Sequence, residues 1–473
     1  MRNMQKEDFN PSHITGRLSQ TLIDTHCHLE MHQFDNDRDD VIQNAKDSGI
    51  EALVTVGSDL ESTLKGISLS EQYDFIYASV GIHPHDAKDF SEKVCRKLKE
   101  LTNKKKVVAV GETGLDYHYD NSPREVQREV FRKHIRLAKE TELPLIIHSR
   151  EAKDDTLNIL RESGFNRGVF HCFSGDMDMA EQAMSMGFYI SFAGPVTFAK
   201  SINLKEIATA VPDDYILVET DAPYLSPEPF RGRRNEPAYI RNTVRQLAEL
   251  RKISFEDFAR ITTLNAKRLF GIGVMPEKAE IAYRIRDSLY LNITNRCTNK
   301  CSFCVKFRTD YVKGHRLRLV REPDEEEIKR EIGIPSAYKE IVFCGYGEPL
   351  QRLDLVKNIS KWVKEKGGRV RINTNGHANL IHKRDIINEL KGLVDSISIS
   401  LDAHDEVTYN KICRPLYRNA YKEVIKFIKQ AKQVIPDVQI TVVELEGVDI
   451  GKCRKIAEDL GVRFRIRRLN VVG

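Results

Sequence analysis

The chain has 473 residues, of which 41% are hydrophobic and 30% are charged, as is ordinary for a soluble globular protein of two or three domains. The net charge of +5 is small for this length and gives no indication of a dedicated nucleic-acid-binding protein, although it allows local basic patches. Nine irregularly spaced cysteines argue against a disulfide scaffold, and no run of residues approaches the length of a membrane span.

Residues 1–19 are predicted to form an N-terminal tail. This segment has no apolar core, so it indicates neither a signal peptide nor a membrane anchor. We therefore expect a protein of the cytoplasm, in a reducing environment and without membrane contact. The sequence does not indicate an oligomeric state.

Residues 20–275 alternate short apolar runs with amphipathic helical patterns. The runs are TLIDTHC (21–27), ALVTVG (52–57), FIYASVGIH (75–83), KVVAVGETG (106–114), PLIIHS (144–149), GVFHCFS (168–174), FYISFAG (188–194) and YILVETD (215–221). Alternating strands and helices predict a parallel sheet. Eight such units over about 250 residues fit a closed (β/α)₈ TIM barrel.

Polar residues gather at the ends of these predicted strands, which is where a barrel of this kind carries its chemistry. They are His26, His28, His83, His85, Glu112, His148, His171 and Asp221. A single histidine in a strand is most often a core residue, but His26 and His28 lie two positions apart and so share one face of their strand. Nitrogen and carboxylate ligands without thiolate favour a hydrolytic divalent metal, namely Zn²⁺, Mn²⁺ or Mg²⁺.

Several segments of this half resemble the TatD family of metal-dependent deoxyribonucleases. They are IDTHCHLE, VGIHPHDA, GETGLDYHYD, PLIIHSREA, FHCFSG and ETDAPYLSP, which occur in the family's order within residues 20–272. The resemblance implies an amidohydrolase-like barrel with two divalent metal ions and DNA or nucleotides as partners. It implies that His26, His28 and Asp221 hold one metal ion, that His148 and His171 hold the second, and that Glu112 bridges the two.

Asp221 and Glu112 are the predicted catalytic residues. Asp221 is placed to take the proton from the attacking water, and Glu219, on the same strand face, is either a buffer for that proton or a supporting residue. His83, His85 and Arg150 are candidate substrate contacts, and Arg231, Arg233 and Arg234 offer further positive charge. Each of these also has a plain structural interpretation, as a packed side chain or as part of a solvated face.

Residues 276–287 are predicted to be a linker, followed by a second domain over residues 288–473. Six further strands are predicted there: SLYLNIT (288–294), EIVFC (340–344), RVRIN (369–373), SISISL (396–401), VQITVVE (438–444) and RFRIR (463–467). Six strands are too few for a full barrel of eight and predict an open, partial (β/α)₆ barrel.

Three cysteines, Cys297, Cys301 and Cys304, directly follow the first of these strands. Structural zinc usually takes four ligands in CxxC pairs, whereas the spacing here is CxxxCxxC with no fourth cysteine nearby. Three thiolates can hold a cubane iron–sulfur cluster and leave one iron open for another ligand. By spacing alone, a zinc site or a redox-active thiol group remains possible.

The same stretch is similar to the radical S-adenosylmethionine superfamily, in which an aromatic residue, here Phe303, precedes the last cysteine. The resemblance spans residues 288–473 and implies a four-iron, four-sulfur (4Fe–4S) cluster, S-adenosylmethionine and an electron donor such as flavodoxin or ferredoxin. It assigns cofactor contacts to Phe303, Gly345, Gly347, Glu348, Asn375, Ser400 and Asp402. The implied reaction is reductive cleavage of S-adenosylmethionine to a 5′-deoxyadenosyl radical.

Three interpretations of the whole chain follow. The first is a bifunctional enzyme that combines a DNA exonuclease or phosphodiesterase with a radical enzyme. In the second, the barrel hydrolyses a small amide, ester or nucleotide linked to the radical reaction. In the third, one half is a degenerate binding module, which the complete ligand sets argue against. The sequence does not distinguish the first two.

Overall fold

The protein, analysed as a computed structural model, is described over residues 21–468, so the predicted tail lies outside the described residues. The chain divides after Met275 into two compact units, called the first and the second unit below.

The first unit is a parallel eight-stranded barrel. Its strands are β1 (Leu22–Cys27), β2 (Ile50–Thr55), β3 (Ile76–Val80), β4 (Val107–Asp116), β5 (Leu145–Arg150), β6 (Gly168–Phe170), β7 (Phe188–Phe192) and β8 (Ile216–Val218). They lie in chain order around the sheet. The barrel closes where the hydroxyl of Thr25 donates to the Val218 carbonyl at 2.9 Å and the Asp221 amide donates to the His26 carbonyl at 2.9 Å. The predicted TIM barrel is confirmed.

Helices follow the strands of this barrel. They are α1 (Arg38–Asp47), α2 (Leu60–Gln72), α3 (Glu92–Leu101), α4 (Arg124–Thr141), α5 (Lys153–Ser163), α6 (Met177–Ser185), α7 (Ile202–Ala210), α8 (Ile240–Arg251) and α9 (Phe255–Phe270). Local sequence fixes their ends. Asp59 and Ser62 form a capping box at the start of α2, and Gly271, with φ of +68°, ends α9.

Two apolar layers stabilise the barrel. Alternate strand residues pack outward against the helices. A separate buried cluster joins residues of the strands, such as Ile23, Ile146 and Leu217, to Leu269 and Phe270 at the end of α9. The interior is therefore a packed core, and polar groups collect only at the C-terminal ends of the strands.

The second unit is an open mixed sheet. Its strands are β9 (Ala282–Ile285), β10 (Ser288–Leu291), β13 (Glu340–Phe343), β14 (Val370–Thr374), β15 (Ser396–Ser400), β16 (Asp437–Glu444) and β17 (Arg463–Arg468), and a separate hairpin pairs β11 (Tyr311–Val312) with β12 (His315–Arg316). The sheet order is β17-β16-β15-β14-β13-β10-β9, in which only β9 is antiparallel to its neighbour. The six predicted parallel strands are confirmed.

The segment 276–287 differs from the expected linker, because it contributes β9 to the edge of this sheet. Helices of the second unit are α10 (Glu325–Ile332), α11 (Leu353–Glu365), α12 (Ala378–His382), α13 (Glu406–Cys413), α14 (Ala420–Val434) and α15 (Ile450–Asp459). They pack on one face of the sheet in a single apolar core.

Candidate metal centre and cofactor site

The six residues predicted as metal ligands lie together at one end of the first barrel. His26 lies in β1, Glu112 in β4 and His148 in β5, whereas His28, His171 and Asp221 directly follow β1, β6 and β8. Parallel strands bring their carboxyl ends to one mouth, so residues far apart in sequence meet there.

The first ligand group consists of His26, His28 and Asp221. The Nε2 atoms of the two histidines are 3.1 Å apart, and Asp221 Oδ1 lies 3.7 Å from His26 Nε2 and 3.5 Å from His28 Nε2. All three residues are buried. Buried nitrogen and oxygen atoms that converge on one point can all be bound by a divalent cation placed between them. The three residues therefore fit a metal ion.

Glu112 lies between this group and a second one. Its Oε2 is 3.4 Å from His26 Nε2, and its Oε1 is 2.8 Å from His171 Nε2 and 3.0 Å from His148 Nδ1. Each oxygen thus faces a different ligand group. Burial alone would raise the pKa of Glu112, but the imidazoles of His171, His83 and His148 together hold this pKa well below its ordinary value.

A second set of contacts orients the histidines. His28 Nδ1 donates to the Val56 carbonyl at 2.9 Å, which leaves Nε2 free to face the ligand group. His148 Nε2 donates to Asp116 Oδ2 at 2.9 Å and therefore presents Nδ1. His171 Nδ1 lies 3.3 Å from Glu219 Oε1. Hydrogen bonds of this kind fix the tautomer and the ring orientation of metal-ligating histidines.

Asp116 is a residue that the sequence reasoning missed. It is fully buried, and its Oδ1 accepts hydrogen bonds from the amides of His118 and Tyr119 at 3.0 and 2.9 Å. Asp116 belongs to the segment GETGLDYHYD, which the sequence analysis singled out, but its spacing along the chain does not indicate a contact with His148. Glu219, expected as a buffer or a support, accepts a hydrogen bond from the Cys172 amide at 2.6 Å, which favours the supporting role.

The three residues predicted to contact substrate have different neighbours in the structure. His83 Nε2 is 3.3 Å from Glu112 Oε1 and belongs to a third possible ligand group with Glu112 and His148. His85 Nε2 is 3.1 Å from Asp116 Oδ2. The guanidinium of Arg150 lies over the ring of Tyr119, 4.8 Å from its centroid. Contact with substrate remains a prediction for all three.

The arginine run after β8 is less available than the sequence suggested. Arg234 makes a two-pronged ion pair with Asp37, with contacts of 2.8 and 2.6 Å. The guanidinium of Arg231 lies 4.2 Å from the ring centroid of Phe198 and 4.0 Å from Glu228. Arg234 is therefore matched within the protein and Arg231 only loosely, whereas Arg233 is exposed and has no ion pair among the described residues.

In the second unit, the three clustered cysteines lie on the loop after β10. None of them is in a disulfide, and all are partly exposed. The end of α13 holds the loop, because the amides of Lys300 and Ser302 donate to the Cys413 and Ile412 carbonyls at 3.0 and 2.9 Å. Three reduced thiols on one loop are the donor set that an iron–sulfur cluster requires.

A buried hydrogen-bond chain supports this loop, and the sequence reasoning identified only its first member, Asn375. The side-chain amide of Asn375 donates to Thr298 Oγ1 at 2.9 Å, and its Nδ2 atom lies 3.7 Å from Cys297 Sγ. Thr298 Oγ1 is 2.9 Å from His377 Nδ1, and His377 Nε2 is 2.9 Å from the Tyr409 hydroxyl. Predicted Phe303 packs beside the core of the sheet.

The glycine-rich segment after β13 is a site of close backbone approach. A Cβ on Gly345 would lie 2.3 Å from Asn292 Oδ1, and one on Gly347 would lie 2.3 Å from the Arg296 carbonyl oxygen. Glycine is therefore required at both positions. The buried Glu348 carboxylate accepts hydrogen bonds from Thr374 Oγ1 at 2.8 Å and from the backbone amide of Asn375 at 2.7 Å. Burial raises the pKa of Glu348 to about 7.

Ser400 and Asp402 lie at the end of β15, as predicted. Asp402 Oδ1 accepts a hydrogen bond from the Val443 amide at 3.1 Å, and the Arg467 guanidinium lies 3.2 Å from the same oxygen. Ser400 Oγ is 3.4 Å from Arg467 Nη2. Their contact with a cofactor remains a prediction.

Across residues 21–468, no helix has both the length and the apolar character that crossing a membrane would require.

Comparisons with known proteins address the two units separately. Residues 23–271 match the model of the TatD related DNase family, and residues 291–460 match that of the Radical SAM superfamily. The uncharacterized metal-dependent hydrolase YabD of Bacillus subtilis is 49% identical over 253 residues, which are 53% of this chain and 99% of that protein.

Two further relatives match the same half. The 3'-5' ssDNA/RNA exonuclease TatD of Erwinia tasmaniensis is 33% identical over 259 residues, covering 53% of this chain and all of that protein. The crystal structure of YJJV, a TatD homolog from Escherichia coli, is 30% identical with a TM-score of 0.52, covering 53% of this chain and 98% of that one.

Proposed function

Since the chain belongs to the TatD-related DNase family, we propose that its first unit is a two-metal exonuclease that releases mononucleotides from single-stranded DNA. We propose in addition that its radical SAM unit cleaves S-adenosylmethionine reductively, so that one chain carries two enzymes.

The position of Glu112 is the observation that carries the first proposal. Its two oxygens face separate groups of buried histidines, 2.8 Å from His171 Nε2 on one side and 3.4 Å from His26 Nε2 on the other. A carboxylate between two ligand groups is what a two-metal hydrolytic site needs. Glu112 stays ionised because the neighbouring imidazoles hold its pKa well below its ordinary value, against the effect of burial.

The remaining residues have separate roles in this proposal. His26, His28 and Asp221 would hold one metal ion, and His148 and His171 the other, with Glu112 shared. When bound, the two ions polarise the phosphodiester and activate water. Asp221 accepts the proton of the attacking water. Burial raises the pKa of Asp221, but the hydrogen bond from His28 and the charges of the nearby imidazoles lower it overall, so Asp221 is ionised and able to accept a proton.

In the radical unit, Cys297, Cys301 and Cys304 would hold the cluster. When bound, a 4Fe–4S cluster supplies the electron that cleaves S-adenosylmethionine. Gly345 and Gly347 let their turn pack directly against Asn292 and Arg296. Glu348 fixes Thr374 and Asn375 beside this turn, which would hold the S-adenosylmethionine.

The nuclease proposal is tested on the full chain with an end-labelled single-stranded oligonucleotide and Mg²⁺, Mn²⁺ or Zn²⁺. We expect stepwise release of mononucleotides that Glu112→Ala and Asp221→Ala abolish. Asp178→Ala is the matched control, because this carboxylate pairs with Lys153 on the surface. If a preparation that binds two metal ions per chain cleaves nothing, the nuclease proposal is wrong.

The radical proposal is tested separately under anaerobic conditions. Purified protein is expected to be brown, to hold one four-iron cluster, and to form 5′-deoxyadenosine with a reductant. Cys301→Ala should lose the cluster, whereas Cys95→Ala, in the first unit, should keep it. A cluster that survives Cys301→Ala would refute the assignment.

A second candidate for the barrel is hydrolysis of a small amide, ester or nucleotide. The pairing of Arg234 with Asp37 and of Arg231 with Phe198 and Glu228 favours it, since long polyanions are held through unpaired cations. Under this alternative, the oligonucleotide stays intact while a small phosphodiester such as bis(p-nitrophenyl) phosphate is cleaved. That cleavage should be insensitive to salt.

A further inference from the structure

The face of the second sheet that points away from the helices is mixed, with polar side chains beside the buried Val342 and Val443. In β15, Ile397 and Ile399 belong to the apolar core, whereas the intervening Ser396, Ser398 and Ser400 face the other way. Parallel pairing places Ser398 beside Gln439 of β16, and Ser400 beside Thr441. Ser396, Ser398 and Thr441 are buried and Ser400 is half-buried. This side of the sheet is called the open face below.

The last strand adds three arginines to the open face. Arg463, Arg465 and Arg467 alternate with the partly buried Phe464 in β17, and pairing places Arg463 opposite Gln439 and Arg465 opposite Thr441. Arg371 of β14 lies on the same face, because it is paired with Ser396.

Most of these guanidinium groups are matched by a carboxylate. Arg371 lies 3.0 Å from Glu340, Arg463 donates to Asp437 at 2.7 Å, and Arg467 lies 3.2 Å from Asp402. Arg465 differs from them. Its side chain is exposed, and it has no ion-pair partner within the described part of the chain.

Arg467 has one donor left over as well. Its Nη2 reaches Ser400 and Asp402, but its Nε is buried and has no hydrogen-bond partner in residues 21–468. A buried donor without an acceptor is costly. The unpaired charge of Arg465 and the unsatisfied donor of Arg467 lie two residues apart on one strand, so their side chains leave the same face.

We propose that the open face binds the substrate of the radical reaction through an oxyanion group, a phosphate or a carboxylate, held by Arg465 and by Nε of Arg467. This inference rests on the radical function proposed above. Guanidinium groups bind such groups through paired, charge-assisted hydrogen bonds.

The chemistry of the face argues against two other substrate classes. An apolar substrate would cover serine and threonine hydroxyls without giving them partners, which costs free energy. A cationic substrate would meet Arg465 with no carboxylate to offset the repulsion. A neutral polar substrate would leave the charge of Arg465 unmatched, whereas a polar, anionic small molecule, of which a mononucleotide is one example, would match it.

The test is arginine footprinting with phenylglyoxal on the full, cluster-loaded chain, read by peptide mass spectrometry. Pyrophosphate, succinate and S-adenosylmethionine are the three probes. At about ten times its Kd, a bound probe leaves about a tenth of the site free, so modification of Arg465 should slow about tenfold. Arg454, which lies over Phe464 and is exposed on α15, is the internal reference and should react at an unchanged rate.

Substitutions give the second measurement. Arg465→Gln should weaken binding of the protecting probe about tenfold or more, as expected for the loss of one charge-assisted contact. The matched control is the double variant Arg463→Gln with Asp437→Asn, which removes a pair from the same face without changing its net charge. This control should bind the probe as the native chain does.

Protection by pyrophosphate identifies a phosphate site, and protection by succinate identifies a carboxylate site. Protection of Arg465 by S-adenosylmethionine alone would overturn the inference, because the cofactor's own carboxylate would then be the occupant. The inference would also be overturned if Arg465 were modified at the same rate in the absence of a probe as in the presence of each of the three probes. Formation of 5′-deoxyadenosine by the native chain is measured in parallel, so that a missing radical reaction is told apart from a missing anion site.

Discussion

Replacement of Asp116 by asparagine should disable one of the two ligand groups of the barrel without unfolding it. The Oδ1 atom of this carboxylate accepts from the amides of His118 and Tyr119, and its Oδ2 atom accepts from His148 Nε2 and lies 3.1 Å from His85 Nε2. An asparagine has one acceptor and one donor at these positions. Whichever way the amide turns, its NH₂ group faces either two backbone donors or the imidazole.

The first orientation loses two hydrogen bonds, and the second reverses the tautomer of His148. In the second case Nδ1 carries the proton and donates to Glu112 Oε1, 3.0 Å away, so it has no lone pair left for a metal ion. Loss of such an orienting contact typically lowers metal affinity about 10- to 100-fold, or about 1.4–2.8 kcal/mol. We expect this loss at the His148–His171 group, while the His26–His28–Asp221 group keeps its affinity.

The assay is calorimetric titration of the metal-free full chain with Zn²⁺, with Cys297, Cys301 and Cys304 replaced by alanine in every variant, including the otherwise native one, so that the clustered thiols bind no zinc. The native chain should bind two ions, and Asp116→Asn should bind one with native affinity and one about 10- to 100-fold more weakly. Asp155→Asn is the control, since Asp155 accepts from Tyr117 and Arg128 and contacts no histidine of the site. Two sites of native affinity in Asp116→Asn would refute the tautomer argument, and equal weakening of both would refute the separate groups.

Two further predictions concern other positions. Gly347→Ala should weaken equilibrium binding of S-adenosylmethionine about tenfold or more, because the new Cβ would lie 2.3 Å from the Arg296 carbonyl oxygen. Gly451→Ala is the control and should bind the cofactor with native affinity. Native affinity in Gly347→Ala would contradict the prediction. His134 accepts from the Ile82 amide, and burial lowers its pKa from 6.5 to about 4, so the unfolded chain binds a proton first as the pH falls. The resulting stability is complete above pH 6.5 and declines towards pH 4 by up to about 3 kcal/mol. His134→Gln should flatten this decline in urea unfolding followed by circular dichroism, and an unchanged slope would refute the assignment.

Much of the fold follows from local pattern. The strands of the barrel and the six parallel strands of the second unit are apolar runs with turn residues at their ends, and their alternation with helices leaves few topologies. The exception is β9. Its residues Ala282–Ile285 include only a short apolar run, and they follow a charged stretch, so the segment has no strand signal of its own. Its pairing with β10 depends on tertiary contact at the sheet edge.

The site was predictable to a similar depth. Alternation along one strand predicts that His26 and His28 share a face, and the barrel rule brings them to Glu112 and Asp221. Partners across the fold were not predictable. The sequence predicts that Arg234 either offers charge to a substrate or lies on a solvated face, yet it pairs with Asp37. Asp116, for which the sequence predicts no role, orients His148. Both pairings depend on how separate loops meet at the mouth, which no local spacing encodes.

The two proposed activities are chemically compatible in one chain. Hydrolysis of a phosphodiester leaves a product that still carries a phosphate group, and an oxyanion is what the unpaired Arg465 and Nε of Arg467 would bind. A product of the barrel would therefore belong to the substrate class of the radical unit. The alternative for the barrel fits the same scheme, because hydrolysis of an ester or an amide leaves a carboxylate, which is also an oxyanion. The anion that protects Arg465 thus also bears on the bond that the barrel hydrolyses.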